Sequence, residues 1–166
     1  FDMWMTREFP VIRFERYADD VVIHCKSLAQ ATLVRDKLKQ RLAECKLELS
    51  PSKTKIVYCK DRERTQEYQE ISFDFLGYTF RPRKSVSKDG DVSLNFLPAI
   101  SGKAAKAIRQ TVRDWDLKRK VVLSLEEMAR RINPIVRGWV VYYGRFYRSA
   151  LCRVVQQVDL HLAKWV

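Results

Sequence analysis

Phe14-Glu15-Arg16-Tyr17-Ala18-Asp19-Asp20-Val21-Val22-Ile23-His24 places two adjacent aspartates between runs that favour extended backbone. Val11-Ile12-Arg13-Phe14 and Tyr17 precede the pair, and Val21-Val22-Ile23 follows it. The pattern predicts a β-hairpin over about 11–25 with the acidic pair at or beside its tip. Two neighbouring carboxylates repel each other and interrupt an apolar run. A hard divalent cation held by carboxylate oxygens offsets that repulsion. A bare Asp-Asp more often marks an acidic turn facing water, because turns favour aspartate. The meaning of the pair therefore depends on what accompanies it along the chain.

Before the hairpin, residues 1–9 read as a short helix end stopped by Pro10. Phe1-Asp2-Met3-Trp4-Met5 looks like the end of a helix whose beginning is missing, so a piece of a longer protein is expected. After the hairpin, Ser27 is a candidate N-cap for a helix from Leu28 to about Cys45. Ala31, Val34, Leu38, Leu42 and Cys45 would form its buried stripe, and Arg35, Asp36, Lys37, Lys39 and Arg41 its wet face. Ser50-Pro51-Ser52 breaks that helix. Ile56 to Cys59 reads as a short strand, and Lys60 to Glu70 as an exposed loop.

Phe73 to Phe80 reads as one strand, aromatic at 73, 75, 78 and 80, whose alternation changes phase at Gly77 and suggests a bulge or a close backbone approach. Lys88-Asp89-Gly90-Asp91 is a turn signal, and Val92 to Leu97 the returning strand. Helical spacing takes over past Pro98. Ser101 can cap a helix reaching Trp115, with Ala105, Ile108, Val112 and Trp115 on one side. Ser124-Leu125-Glu126-Glu127 is a capping box. Asn133-Pro134 fits the cap and first position of a further helix, Ile135 to about Arg145, and Ser149 could cap the last. Leu151, Val154, Val155, Val158, Leu162 and Trp165 would be the apolar face of that last helix.

At 166 residues, with 46% hydrophobic and 11% aromatic residues, the chain can bury a core and is no disordered tail. The net charge of +12 points to a polyanionic partner, nucleic acid before membrane. The excess is uneven: residues 1–100 hold 18 Lys and Arg against 15 Asp and Glu, and residues 101–166 hold 14 against 5. Lys118-Arg119-Lys120 is the sharpest cluster. Cys25, Cys45, Cys59 and Cys152 show no CxxC pair and no histidine at ligand spacing, which suits reduced thiols in the cytoplasm. No signal peptide and no apolar run near the ~18 residues of a membrane span is present, so no membrane partner is expected.

Four features stand in order: Tyr17-Ala18-Asp19-Asp20, Lys53 in Ser50-Pro51-Ser52-Lys53-Thr54, Phe75-Leu76-Gly77-Tyr78, and Asn133-Pro134-Ile135-Val136-Arg137-Gly138-Trp139 with Tyr142-Tyr143. Together they closely resemble the reverse transcriptases encoded by bacterial group II introns, over nearly all of the chain. The resemblance implies an α+β fold. Residues 1–100 would be the end of a polymerase palm, built of antiparallel hairpins with a packed helix. Residues 101–166 would be the all-helical maturase-specific, thumb-like domain.

It further implies an RNA-directed DNA polymerase that also assists intron splicing, cytoplasmic and bacterial. Its partners would be intron RNA as template, a DNA primer and, in the full-length enzyme, dNTP. Asp19 and Asp20 would be ligands of a two-metal Mg²⁺ site, with Tyr17 and Ala18 as the floor under the primer end. Lys53 would stand near the leaving pyrophosphate, and Phe75, Leu76, Gly77 and Tyr78 would grip the primer. The chemistry agrees: in-line displacement at phosphorus builds negative charge on both attacking and leaving oxygens, and two carboxylate-held metals stabilise both.

In that family a further catalytic aspartate lies on an earlier palm strand and the fingers earlier still, so the metal site here is expected to be incomplete and this chain alone inactive as a polymerase. Lys118, Arg119, Lys120, Arg130, Arg131, Arg137, Arg145 and Arg148 are the candidate RNA contacts. Arg137 could equally brace Trp139. Trp139, Tyr142 and Tyr143, three and four apart, suit a core better than a stacking platform. A non-catalytic RNA-binding splicing factor is the alternative from another class, but it would gain nothing from two crowded carboxylates. Retron-type or diversity-generating reverse transcriptases are nearer rivals, and the Asn133 to Tyr143 pattern argues against them.

Overall fold

The structure, a computed structural model, describes residues 1–86, 89–117 and 123–165. It is α+β, with helices and two small antiparallel sheets. The chain divides into two compact units, Phe1–Val57 and Tyr58–Val166. The change from strand to helix near residue 100 therefore lies inside the second unit.

In the first unit, α1 (Asp2–Glu8) precedes a hairpin of β1 (Phe14–Tyr17) and β2 (Asp20–Ile23), followed by α2 (Leu28–Glu44). The Ser27 hydroxyl accepts from the Gln30 backbone N–H and starts α2, as its sequence predicts. Met5, Ile12 and Val34 form the buried centre, with Trp4, Phe9, Phe14 and Ile23 packed around it. Of the expected stripe, Val34 and Leu38 are buried and Cys45 is exposed. The helix stops at Glu44 and the backbone turns through Lys46 at φ +58°, which takes Cys45 off the stripe.

From Ile56 onward the described residues differ from expectation at four places. Ile56 to Cys59 forms no strand: the Tyr58 N–H donates to the Glu70 carbonyl and the Tyr58 ring packs on Tyr68, 4.4 Å between ring centres, across the loop. The segment from Phe73 to Phe80 is two strands. β3 (Phe73–Phe75) pairs antiparallel with β4 (Tyr78–Val86), and the phase change in the aromatics is a reversal of the chain. Leu76 (φ +49°) and Gly77 (φ +77°) are both left-handed, as a two-residue type I′ hairpin turn demands. Phe73 stacks flat on its partner Phe80, 4.8 Å between ring centres. β5 (Val92–Ile100) completes the sheet and carries Pro98, which is tolerated because β5 is an edge strand.

Three helices follow: α3 (Gly102–Asp114), α4 (Leu125–Tyr143) and α5 (Arg148–Leu162). Ser101 caps α3 and the Ser124–Glu127 box caps α4. Asn133 and Pro134 do not begin a new helix, because α4 runs through them. Met128 and Ile132 are buried, and Val136, Trp139 and Tyr143 pack on the same core, so one stripe at spacings of three and four continues across Pro134. Burial of that stripe holds the helix despite the N–H that proline lacks, and Pro134 itself is exposed. Ser149 lies inside the first turn of α5, whose N-cap is Tyr147 with no side-chain capping bond. Leu151, Val154 and Val158 are buried with Ile108 and Val112 of α3, and Trp115 stacks on Trp139 at 5.8 Å. No helix among the described residues is long and apolar enough to cross a membrane.

Candidate active site and nucleic-acid surface

The acidic hairpin closes with Ala18 and Asp19 as its two turn residues, since Tyr17 pairs with Asp20 in the register. Ala18 has φ +54°, and of the two only it is left-handed, the φ pattern of a II′ turn in which glycine is usual. For an alanine this conformation costs roughly 1–2 kcal/mol. Arg16 holds the turn in place. Its Nη1 donates to the Ala18 carbonyl at 3.0 Å, while Nε and Nη2 donate to the two Asp2 carboxylate oxygens at 2.6 and 2.7 Å. The fork ties the turn to α1 and holds the Asp2 carboxyl below its ordinary value.

Tyr17, Ala18, Asp19 and Asp20 are all exposed. Among the described residues neither aspartate accepts a hydrogen bond or pairs with a cation. Carboxylate oxygens are the donors a Mg²⁺ ion takes. Two of them are only part of a set, and among the described residues no group of three or more His, Cys, Asp or Glu could hold a metal. Lys53 sits exposed on a turn whose Lys53 and Thr54 N–H groups both donate to the Ser50 carbonyl. Its ammonium has no partner among the described residues.

Phe75, Leu76, Gly77 and Tyr78 lie in the second unit and form the tip of the β3–β4 hairpin. Helix α4 and the start of α3 grip this tip closely. The Tyr142 hydroxyl donates to the Leu76 carbonyl at 2.9 Å, the buried Tyr78 hydroxyl donates to the Tyr142 carbonyl, and the Ser101 N–H donates to the Gly77 carbonyl at 2.9 Å. A Cβ at Gly77 would stand 2.9 Å from the Tyr143 hydroxyl. Burial raises the pKa of both Tyr78 and Tyr143, so both keep their protons. The positioning role of Tyr142 and Ser101 is not visible in the sequence: the Tyr142-Tyr143 pair reads as core, and only the fold brings it to the turn. Of the pair, Tyr143 is half-buried and Tyr142 is exposed.

The candidate RNA contacts Arg130, Arg131, Arg137, Arg145 and Arg148 are all exposed. Lys118, Arg119 and Lys120 lie outside the described residues. Arg137 does not brace Trp139 by any hydrogen bond or ring contact among the described residues. It opens, with Arg130, Asn133, Pro134, Gly138 and Val141, onto a groove along the outer side of α4.

Along the chain an acidic two-residue hairpin comes first, then an aromatic-glycine turn held by α4, then exposed arginines on and between the last helices. Two family models match in that order: reverse transcriptase (RNA-dependent DNA polymerase) over residues 2–80, and group II intron, maturase-specific domain over residues 105–166. The chain belongs to the group II intron reverse transcriptase/maturase family, proteins that copy RNA into DNA and act in splicing of the intron RNA. No curated protein matches the chain.

Proposed function

We propose that the hairpin tip is the metal-holding end of the polymerase site, with Asp19 as the direct ligand and Asp20 beside it. The observation that carries this is a pair of exposed carboxylates, unpartnered among the described residues, on a left-handed turn that Arg16 braces. Bound Mg²⁺ would supply charge neutralisation at the attacking and leaving oxygens of the nucleotide. The chain's own part is to hold two oxygens at a fixed place. Tyr17 and Ala18 offer the surface under the primer end. The Lys53 ammonium is a donor for the pyrophosphate of an incoming dNTP. The Leu76–Gly77 turn, locked by Tyr142 and Ser101, carries the primer strand, and the exposed Arg130, Arg131, Arg137, Arg145 and Arg148 take phosphates of the intron RNA. In this reading residues 1–100 serve the palm and 101–166 the maturase function, in the cytoplasm, where free thiols such as these stay reduced.

Two carboxylates do not complete a two-metal site, so the 166-residue chain by itself does not polymerise. Mn²⁺, a paramagnetic substitute for Mg²⁺, should broaden the NMR signals of residues 17–21 weakly in the chain and not in Asp19→Asn. Mg²⁺-dependent primer extension by the purified chain would overturn the inactivity. In the intact intron-encoded enzyme, Asp19→Asn should abolish DNA synthesis and spare splicing; unchanged synthesis would sink the ligand assignment.

A further inference from the structure

Away from the two hairpin tips and the α4 groove, the second unit contains a cleft of about 360 Å³ between the middle of β4 and the first turns of α5. Arg81, Arg83, Lys84 and Arg153 line it, together with Tyr147 and Ser149. Arg81, Lys84 and Arg153 are exposed or half-exposed at its rim, whereas Arg83 is half-buried. The Arg83 guanidinium is fixed in place. Its Nε and Nη2 donate to the Leu97 and Thr79 carbonyls at 3.2 Å each, and it lies over the Tyr147 ring, 5.3 Å from the centroid. The Tyr147 hydroxyl in turn donates to the Lys84 carbonyl at 3.4 Å, so the wall and the floor of the cleft brace each other.

Four cations share one concavity, and among the described residues no carboxylate pairs with any of them. Burial, and after it the neighbouring Arg81 charge, press the Arg83 pKa downward. Ser149, in the first turn of α5, brings a hydroxyl to the same rim. Crowded cations, a guanidinium held in place whose Nη1 donates to nothing among the described residues, and the Ser149 hydroxyl together suit a singly charged anion with several acceptor oxygens. The cleft is several times the bulk of a phosphate group, which leaves room for the sugar attached to it.

We propose that the β4–α5 cleft, with Arg81, Arg83, Lys84 and Arg153 as its cationic wall, binds a backbone phosphodiester of RNA. This rests on the reading of the chain as an RNA-binding protein and adds a contact point outside Arg130, Arg131, Arg137, Arg145 and Arg148. Arg83 holds the phosphate against the sheet, while the other three cations supply screened, sequence-independent attraction.

The test uses the 166-residue chain and short RNAs of unrelated sequence. Arg83 is left alone because it supports the sheet. Affinity is measured against salt for the wild type, Arg81→Gln/Arg153→Gln, and a control, Lys39→Gln, that removes one charge from α2. The double variant should weaken all the RNAs alike and lower the log–log salt slope by about 1 for each phosphate that the cleft no longer holds, with an unchanged circular dichroism spectrum. A wild type that binds no RNA overturns both this site and the RNA-binding reading. Binding with an unaltered slope in the double variant, or an equal drop in Lys39→Gln, overturns the cleft alone. Titration with sodium phosphate separates the sources: signals of Arg83 and Tyr147 that move with free phosphate while RNA binding is indifferent to the double variant would assign the cleft to a free anion and overturn the proposal.

Discussion

The Tyr142 hydroxyl donates to the carbonyl of Leu76 at 2.9 Å, joining the end of α4 to the turn of the β3–β4 hairpin across 66 residues of sequence. The maturase-matching helix thus holds a turn that the reverse-transcriptase match covers. Tyr142→Phe removes one hydrogen bond at a half-exposed site. The expected cost is about 0.5–1 kcal/mol in denaturant unfolding, with faster amide exchange confined to residues 73–86. Uniformly faster exchange over α4 instead would mean that the tyrosine supports the helix and not the turn.

Gly77 answers to two constraints at once. Its φ of +77° costs any L-residue roughly 1–2 kcal/mol, and an added Cβ would meet the Tyr143 hydroxyl at 2.9 Å. Gly77→Ala should therefore destabilise by about 2 kcal/mol or more. In the double variant with Tyr143→Phe only the steric share, under about 1 kcal/mol, should return. Full recovery would show that backbone conformation contributes nothing.

Ala18 bears the same left-handed strain without being glycine. Ala18→Gly relieves it, and the extra freedom of glycine in the unfolded chain takes part of the gain back. A net stabilisation of about 0.5–1 kcal/mol is expected from urea unfolding. A loss of stability would show that the Arg16 bond to the Ala18 carbonyl has already removed the strain.

Pro134 lies inside α4 on its exposed side and has no N–H to donate to the Arg130 carbonyl four residues back. Pro134→Ala should restore that bond and stabilise the chain by about 1–3 kcal/mol. Thermal melting monitored at the helical circular dichroism band reads it directly, and no gain would mean that the proline is accommodated without cost.

Three acids titrate low in the folded chain: Asp2 beside Arg16, Asp61 beside Arg64 at about 2, and Glu127 bonded to the Ser124 N–H and hydroxyl. Each is depressed below its unfolded value, so its contribution is complete above that value and fades as pH falls through the folded one. The melting temperature should hold above the ordinary Glu127 value of 4.5 and decline towards the Asp61 value of about 2. Asp2→Asn should show a shallower decline. An identical acid limb would mean that the Arg16 pair contributes nothing to acid stability.

Local signals in the sequence determine much of this protein, because they act over a few residues. Ser27, Ser101 and the Ser124–Glu127 box start helices where a side-chain oxygen meets the backbone N–H groups three residues on. The acidic pair falls at a tip because β-prone runs flank it on both sides. The four ordered motifs carry the family because their chemistry is written in residue type and order.

What the tertiary structure alone decides depends on partners distant in sequence. Pro134 reads locally as a helix start, yet a stripe buried against α3 and α5 carries α4 through it. Gly77 reads as a bulge or a close backbone approach; the approach is real, with a Cβ there 2.9 Å from the Tyr143 hydroxyl, but Tyr142 and Ser101 hold a reversed chain in place of a bulge. Arg153 has nothing to do with Arg81 and Arg83 until α5 is laid beside β4. Burial and close approach bring these residues together, and no window of a few residues contains both sides of such a contact.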